Sequence, residues 1–151
     1  MTYILSHKLK VTAKVSLAML MLLCGCSIYL LFRSKTLNIY KWCVALGLSD
    51  CIDVLRNAVS NWNISEFVEF SLPDGLYCAA YVLIMDAIWQ EERNWIKFAV
   101  IFFVPLFAIS SEILQYLGFV KGTFDYYDLV CYTIPPIIYL CIIKKELKKI
   151  K

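Results

Sequence analysis

The sequence predicts an all-α fold: a four-helix transmembrane bundle with an additional amphipathic or re-entrant helix on the exterior side. Three observations predict it. Hydrophobic residues fill 61% of the 151 positions and charged residues only 18%, an unusual balance for a domain bathed in water. The apolar residues are gathered into long runs: residues 15–32 hold eighteen positions without a charge, and residues 98–111 hold fourteen. A helix rising 1.5 Å per residue needs roughly 20 mostly apolar residues to cross a hydrocarbon core about 30 Å thick. Finally, the basic residues crowd the ends of these runs, most densely in the tail from Lys144 to Lys151, as membrane-anchoring flanks do. The length fits one membrane unit over residues 1–151.

The first span is expected over residues 15–32, behind Lys8, Lys10 and Lys14. A cleaved lipoprotein signal is its competitor, because Leu23-Cys24-Gly25-Cys26 resembles a lipobox. The apolar run continues past that point through Phe32, which a retained span explains and a cleaved signal does not. The second span covers residues 72–89, with Ser71 expected as its cap, Pro73 in the first turn and Asp74 at the positive helix end. Asp86 then belongs near the opposite interface or against a partner helix. The third span covers residues 98–117, introduced by Trp95 and Lys97. The fourth covers residues 126–143, with Asp128 in its first turn. Pro135-Pro136 removes two backbone donors there, so neighbouring helices must satisfy the freed carbonyls.

Between the first two spans, Leu48, Cys51, Ile52, Leu55, Ala58, Val59 and Trp62 recur at helical spacing, and Ser49, Asp50, Asp53, Arg56, Asn57, Ser60 and Asn61 fill the other face. Residues 48–62 therefore read as an amphipathic helix lying at an interface or covering a gap between spans. A five-span alternative, with residues 48–62 as a further span and residues 40–48 dipping into the bilayer, would bury the three charges of 48–62 and send the basic tail outside. With four spans and both termini inside, ten Lys and Arg face the cytoplasm and five (Arg33, Lys35, Lys41, Arg56 and Lys121) face the exterior, as the positive-inside rule requires.

The seven cysteines are odd in number and mostly sit in apolar runs, where they behave as small hydrophobes rather than as a disulfide framework. A Cys43–Cys51 bridge is the one pairing an oxidising compartment would permit. The formal charge of +3 is a membrane flank rather than a nucleic-acid footprint. No Cys/His spacing points to a zinc site, and no cofactor motif is present. The single histidine, His7, lies in the cytoplasmic head, away from any nucleophile.

Glu112 is the most informative residue. A charged carboxylate inside a span costs about 2.5–3.5 kcal/mol on insertion scales. Gln115, three residues later, shares its helical face. Asp74, Asp125 and Asp128 approach the same exterior level, so carboxylates from three spans converge there.

Leu72-Pro73-Asp74-Gly75-Leu76 at a span start, then Glu112-Ile113-Leu114-Gln115, Gly122-Thr123-Phe124 and Asp128, resembles the VanZ-like membrane family, named for a teicoplanin-resistance accessory protein. The likeness covers about residues 70–140. It implies a bacterial inner-membrane, cell-envelope setting and aligns Asp74, Glu112, Gln115 and Asp128 with that family's polar positions. The family usually carries a basic residue before the last aspartate; here residues 123–128 hold none, and Lys121 or Arg56 is the expected substitute.

Three functional expectations follow. In the first, Asp74, Glu112, Gln115 and Asp128 line an exterior polar pocket that binds a membrane lipid or lipid-linked envelope component, with Arg56 or Lys121 on an anionic head group. In the second, the chain is an intramembrane enzyme on a lipid-linked or peptidoglycan-related substrate, with Glu112 and Asp128 as acid–base candidates. In the third, the polar groups only lock helices together, within the chain or against a membrane-protein partner.

Overall fold

Six α-helices and one π-helical turn make up the regular structure of the described residues in the computed structural model. They are α1 (Thr2–Phe32), α2 (Asn38–Ala45), α3 (Ser49–Val59), the π-helical turn Phe67–Ser71, α4 (Leu72–Ile88), α5 (Trp95–Tyr116) and α6 (Tyr126–Lys149). The structure describes residues 2–92 and 94–149, with side chains for residues 8–92 and 94–143. The side chains of His7, Arg93, Lys144, Lys145, Lys148, Lys149 and Lys151, read above as cytoplasmic, lie outside the described set.

Four segments are long and apolar enough to cross a membrane: Lys8–Phe32, Phe67–Ile88, Trp95–Tyr116 and Tyr126–Ile143. The chain is thus a multi-pass helical membrane protein. Phe103 and Phe107, 66% and 70% exposed, face outward where water would penalise them and lipid tails do not. With 8 and 11 residues, α2 and α3 are too short for a fifth span; they measure roughly 12 and 17 Å at 1.5 Å per residue. The amphipathic helix expected over 48–62 is α3, and a second short helix, α2, precedes it. Gly47, at φ 74°, separates them: its N–H reaches Val44 O and the Leu48 N–H reaches Cys43 O, a Schellman end that favours glycine.

Ser71 does not cap the second span. Its backbone is already helical, with no side-chain cap bond, because helical structure begins upstream in the π turn. Pro73 has no N–H for the Glu69 carbonyl and its ring crowds that oxygen, so the preceding turn widens to π spacing. The third span begins at Trp95 behind Asn94, whose Oδ1 accepts the Lys97 N–H at 3.1 Å.

Packing centres on α4, which touches α1, α5 and α6, while among the described residues α1 reaches neither α5 nor α6 through its backbone. Two glycines allow the close approaches. A Cβ on Gly75 would stand 3.0 Å from Cys131 Cβ of α6, and one on Gly25 would stand 2.8 Å from the Tyr77 ring. Val82, Ile101 and Tyr139 form the buried core between α4, α5 and α6. α6 continues through Pro135 and Pro136. The carbonyl that Pro136 leaves open belongs to Tyr132, and the Cys78 thiol of α4 donates to it at 3.7 Å, so the expected help from a neighbouring helix is present at that carbonyl.

Candidate functional site

The four spans alternate in direction, so the end of α1, the start of α4, the end of α5 and the start of α6 share one end of the bundle with α2 and α3. Polar side chains concentrate at this hairpin end. Tyr29 of α1 donates to Asp74 Oδ1 at 3.0 Å, and Arg33, one turn on, donates to the Tyr29 hydroxyl at 3.1 Å. The Arg33 guanidinium also sits 4.7 Å from the centres of both the Tyr29 and Phe70 rings, a cation–π sandwich that holds it in place. Arg33 lies within electrostatic range of Asp74 and Asp128 without closing an ion pair on either.

Glu112 of α5 is 6% exposed, and its Oε2 accepts the Asp125 N–H at 3.3 Å. The α5–α6 connection makes this contact possible. Gly118, at φ 76°, ends α5, with its N–H on Gln115 O and the Phe119 N–H on Leu114 O. The loop then returns over the helix end until Gly122 lies against Gln115, where a Cβ would meet the amide oxygen at 2.6 Å. Asp125 starts α6 as its cap, accepting the Tyr127 N–H at 2.8 Å, a structural duty for a carboxylate otherwise open to a binding reading.

Asp128 stands near Asp74, Asp125 and Glu112, with the Ser71 hydroxyl beside it. The geometry falls short of a hydrogen bond between Ser71 and Asp128: Ser71 Oγ and Asp128 Oδ1 are both buried without a partner, as is Arg33 Nε. Those three are all the buried unpartnered side-chain polar atoms among the described residues, and all belong to this cluster. Among the same residues, no three His, Cys, Asp or Glu side chains converge as metal ligands.

The structure brings Asp74, Glu112, Gln115 and Asp128 to one end, as their spacing requires. It places Arg56 and Lys121 differently. Arg56 of α3 donates to Leu30 O at 2.6 Å and lines a shallow cavity of about 290 Å³ with Leu31, Phe32, Asn57, Val59, Ser60 and Trp62. Lys121 is exposed in the loop. The cation beside the carboxylates is Arg33. Its signal in the sequence is its position four residues after Tyr29, at the end of an uncharged run, which fits a membrane flank equally well.

The opposite end carries a second polar junction. Asp86 of α4 meets Lys14 of α1 at 2.6 Å and Lys97 of α5 at 2.9 Å, and accepts the Tyr139 hydroxyl of α6 at 2.9 Å. Lys14 also donates to Gln90 at 3.1 Å. One carboxylate thus gathers a donor from each of the other three spans. Lys97, 9% exposed, is buried because it completes this junction. Asp86 lies near the opposite end and also faces partner helices, so both sequence alternatives for it hold together.

Outside the spans, Asp53 of α3 pairs with Lys35 at 2.7 Å and accepts the Tyr40 hydroxyl at 3.0 Å. The Lys35 ammonium and the Tyr40 hydroxyl hold the Asp53 carboxyl below its ordinary range, and Asp53 in turn raises Lys35. Comparison with protein-family models, with curated proteins and with solved structures finds no match to this chain.

Proposed function

We propose that this chain is a VanZ-like protein of the bacterial cell envelope that binds a lipid or lipid-linked envelope component at its hairpin end. It sits in the inner membrane with both termini cytoplasmic, so the hairpin end is exterior. The observation that carries this reading is the contrast between the two polar junctions. At Asp86, two lysines and a tyrosine satisfy one carboxylate, which is how charge is used to lock helices. At the hairpin end, Asp74 and Asp128 share the Arg33 guanidinium without an ion pair, Asp74 has the Tyr29 hydroxyl and Glu112 one backbone N–H, and three buried polar atoms remain without partners. A group left open in a low-dielectric site costs about 1–3 kcal/mol, an arrangement suited to meeting a ligand and ill suited to a lock.

The test compares Glu112→Gln and Asp128→Asn with Cys141→Ser, at an exposed position elsewhere. Thermal stability in detergent is measured beside an envelope-stress or glycopeptide-tolerance phenotype. Near-normal folding with loss of phenotype in the first two supports the reading. Wild-type stability together with wild-type phenotype in Glu112→Gln overturns it and leaves the cluster as helix packing.

A further inference from the structure

The open atoms at the hairpin end differ in kind, and that difference specifies a ligand. Asp128 Oδ1 is an acceptor that needs a donor. Arg33 Nε carries an N–H and needs an acceptor. Ser71 Oγ, on a residue only 1% exposed, serves either role. A simple anion satisfies Arg33 and is repelled by Asp74, Glu112 and Asp128. A simple metal cation requires converging ligands, and the described residues provide none. A quaternary ammonium has no N–H for Asp128. We infer that the site takes a primary ammonium carried beside an anionic group, as in an ethanolamine-phosphate head group: the ammonium donates to Asp128, with Asp74 and Glu112 near enough to favour its charge, and the anion meets Arg33.

Position supports a source within the bilayer. The cluster lies at the ends of four membrane-spanning helices, where head groups reside. Tyr29 and Phe70 enclose Arg33, so it is presented already oriented and little ordering is needed on binding. This inference rests on the proposed binding role of the cluster and adds the chemistry of what is bound.

The experiment uses full-length protein, delipidated in neutral detergent, and follows thermal unfolding as single lipids are added. Dioleoyl lipids with ethanolamine, choline and glycerol head groups are compared, with soluble O-phosphoethanolamine as a further arm. A ligand held by the folded state raises the unfolding temperature in a saturable way. The ethanolamine lipid is expected to bind about tenfold or more tightly than the other two, the scale of one charge-assisted hydrogen bond. Asp128→Asn and Glu112→Gln should remove that preference, and Asp53→Asn, a carboxylate outside the cluster, should keep it. Should Asp128→Asn fail to fold, Glu112→Gln and the wild-type comparison of ethanolamine with choline lipids still decide.

Saturable stabilisation by soluble phosphoethanolamine makes the head group sufficient; stabilisation by the lipid alone makes the bilayer its source. Equal binding of ethanolamine and choline lipids, or preference for the glycerol lipid, overturns the ammonium assignment; loss of that binding in Glu112→Gln then leaves the broader lipid-binding reading standing. Lipid binding unchanged in both cluster variants overturns the two together.

Discussion

Lys97 and Asp86 form an ion pair of 2.9 Å between α5 and α4, with both side chains nearly sealed from solvent. Leaving a buried charge with no partner costs about 3–5 kcal/mol, and Lys14 and Tyr139 still compensate Asp86 when Lys97 is lost. Lys97→Met is therefore expected to lower thermal stability in detergent by a part of that cost. Lys14→Met should cost less, because the Lys14 side chain is 29% exposed against 11% for Lys97 and water screens more of its charge. Equal losses in the two variants would contradict the junction as drawn.

Cys78 and Pro136 should be energetically coupled. The Cys78 thiol bonds to the carbonyl that Pro136 leaves open, so Cys78→Ala should cost about 1 kcal/mol, part lost bond and part lost volume. In a Pro136→Ala background the helix supplies its own donor, and the same substitution should cost measurably less. A double-mutant cycle in detergent reads the difference directly; strict additivity would refute the link.

Gly75→Ala brings a Cβ to 3.0 Å from Cys131 Cβ, part of a buried side chain with no flexible end to move. Overpacking at such a contact costs about 1–3 kcal/mol. Removing the opposing group with Cys131→Gly in the same chain should restore part of the loss. Thermal unfolding of the two singles and the double checks this, and a double variant worse than the sum of its singles would count against the contact.

The Lys35–Asp53–Tyr40 contacts make a pH prediction for the α2–α3 hairpin. Asp53 has a lowered folded-state pKa, from Lys35 first and Tyr40 second. Its contribution is therefore fully present above the ordinary aspartate value, about 3.9, and is lost as pH falls through the lower folded value. Lys35 is raised, so its contribution is full below the ordinary lysine value, about 10.4, and is lost as pH rises through the higher folded value. Native-state proteolysis of the hairpin should be flat across neutral pH, with added cleavage only in strong acid or strong base. Asp53→Asn should abolish that acid dependence.

Orientation is open to direct labelling. Single cysteines at Ser65 and Asn94, in an otherwise cysteine-free background, lie at opposite ends of the bundle. A membrane-impermeant thiol reagent applied to intact cells should label position 65 alone. Labelling at 94 with protection at 65 would invert the proposed topology and put the Glu112 cluster inside.

The sequence by itself determined the class, the number of spans and the level at which Asp74, Glu112 and Asp128 gather. Those properties follow from one-dimensional quantities: the length of uncharged runs against the thickness of a bilayer, and the placement of charges at run ends. The convergence of Glu112 and Gln115 on one face was equally legible, because helical periodicity sets it. Pairing across helices was not. Arg33, Lys14 and Lys97 look alike as basic residues near span ends, yet Arg33 is held between two aromatic rings near Asp74 and Asp128, and the lysines close on Asp86. Only the rotation and depth of each helix against α4 decides which cation meets which carboxylate. The start of the second span turned on a tertiary fact as well: Ser71 reads as a cap from its residue type, but the π turn above Pro73 carries it into the helix and leaves it beside Asp128. Local sequence sets what each helix is made of; close packing through Gly25 and Gly75 sets which atoms are left satisfied and which stay open.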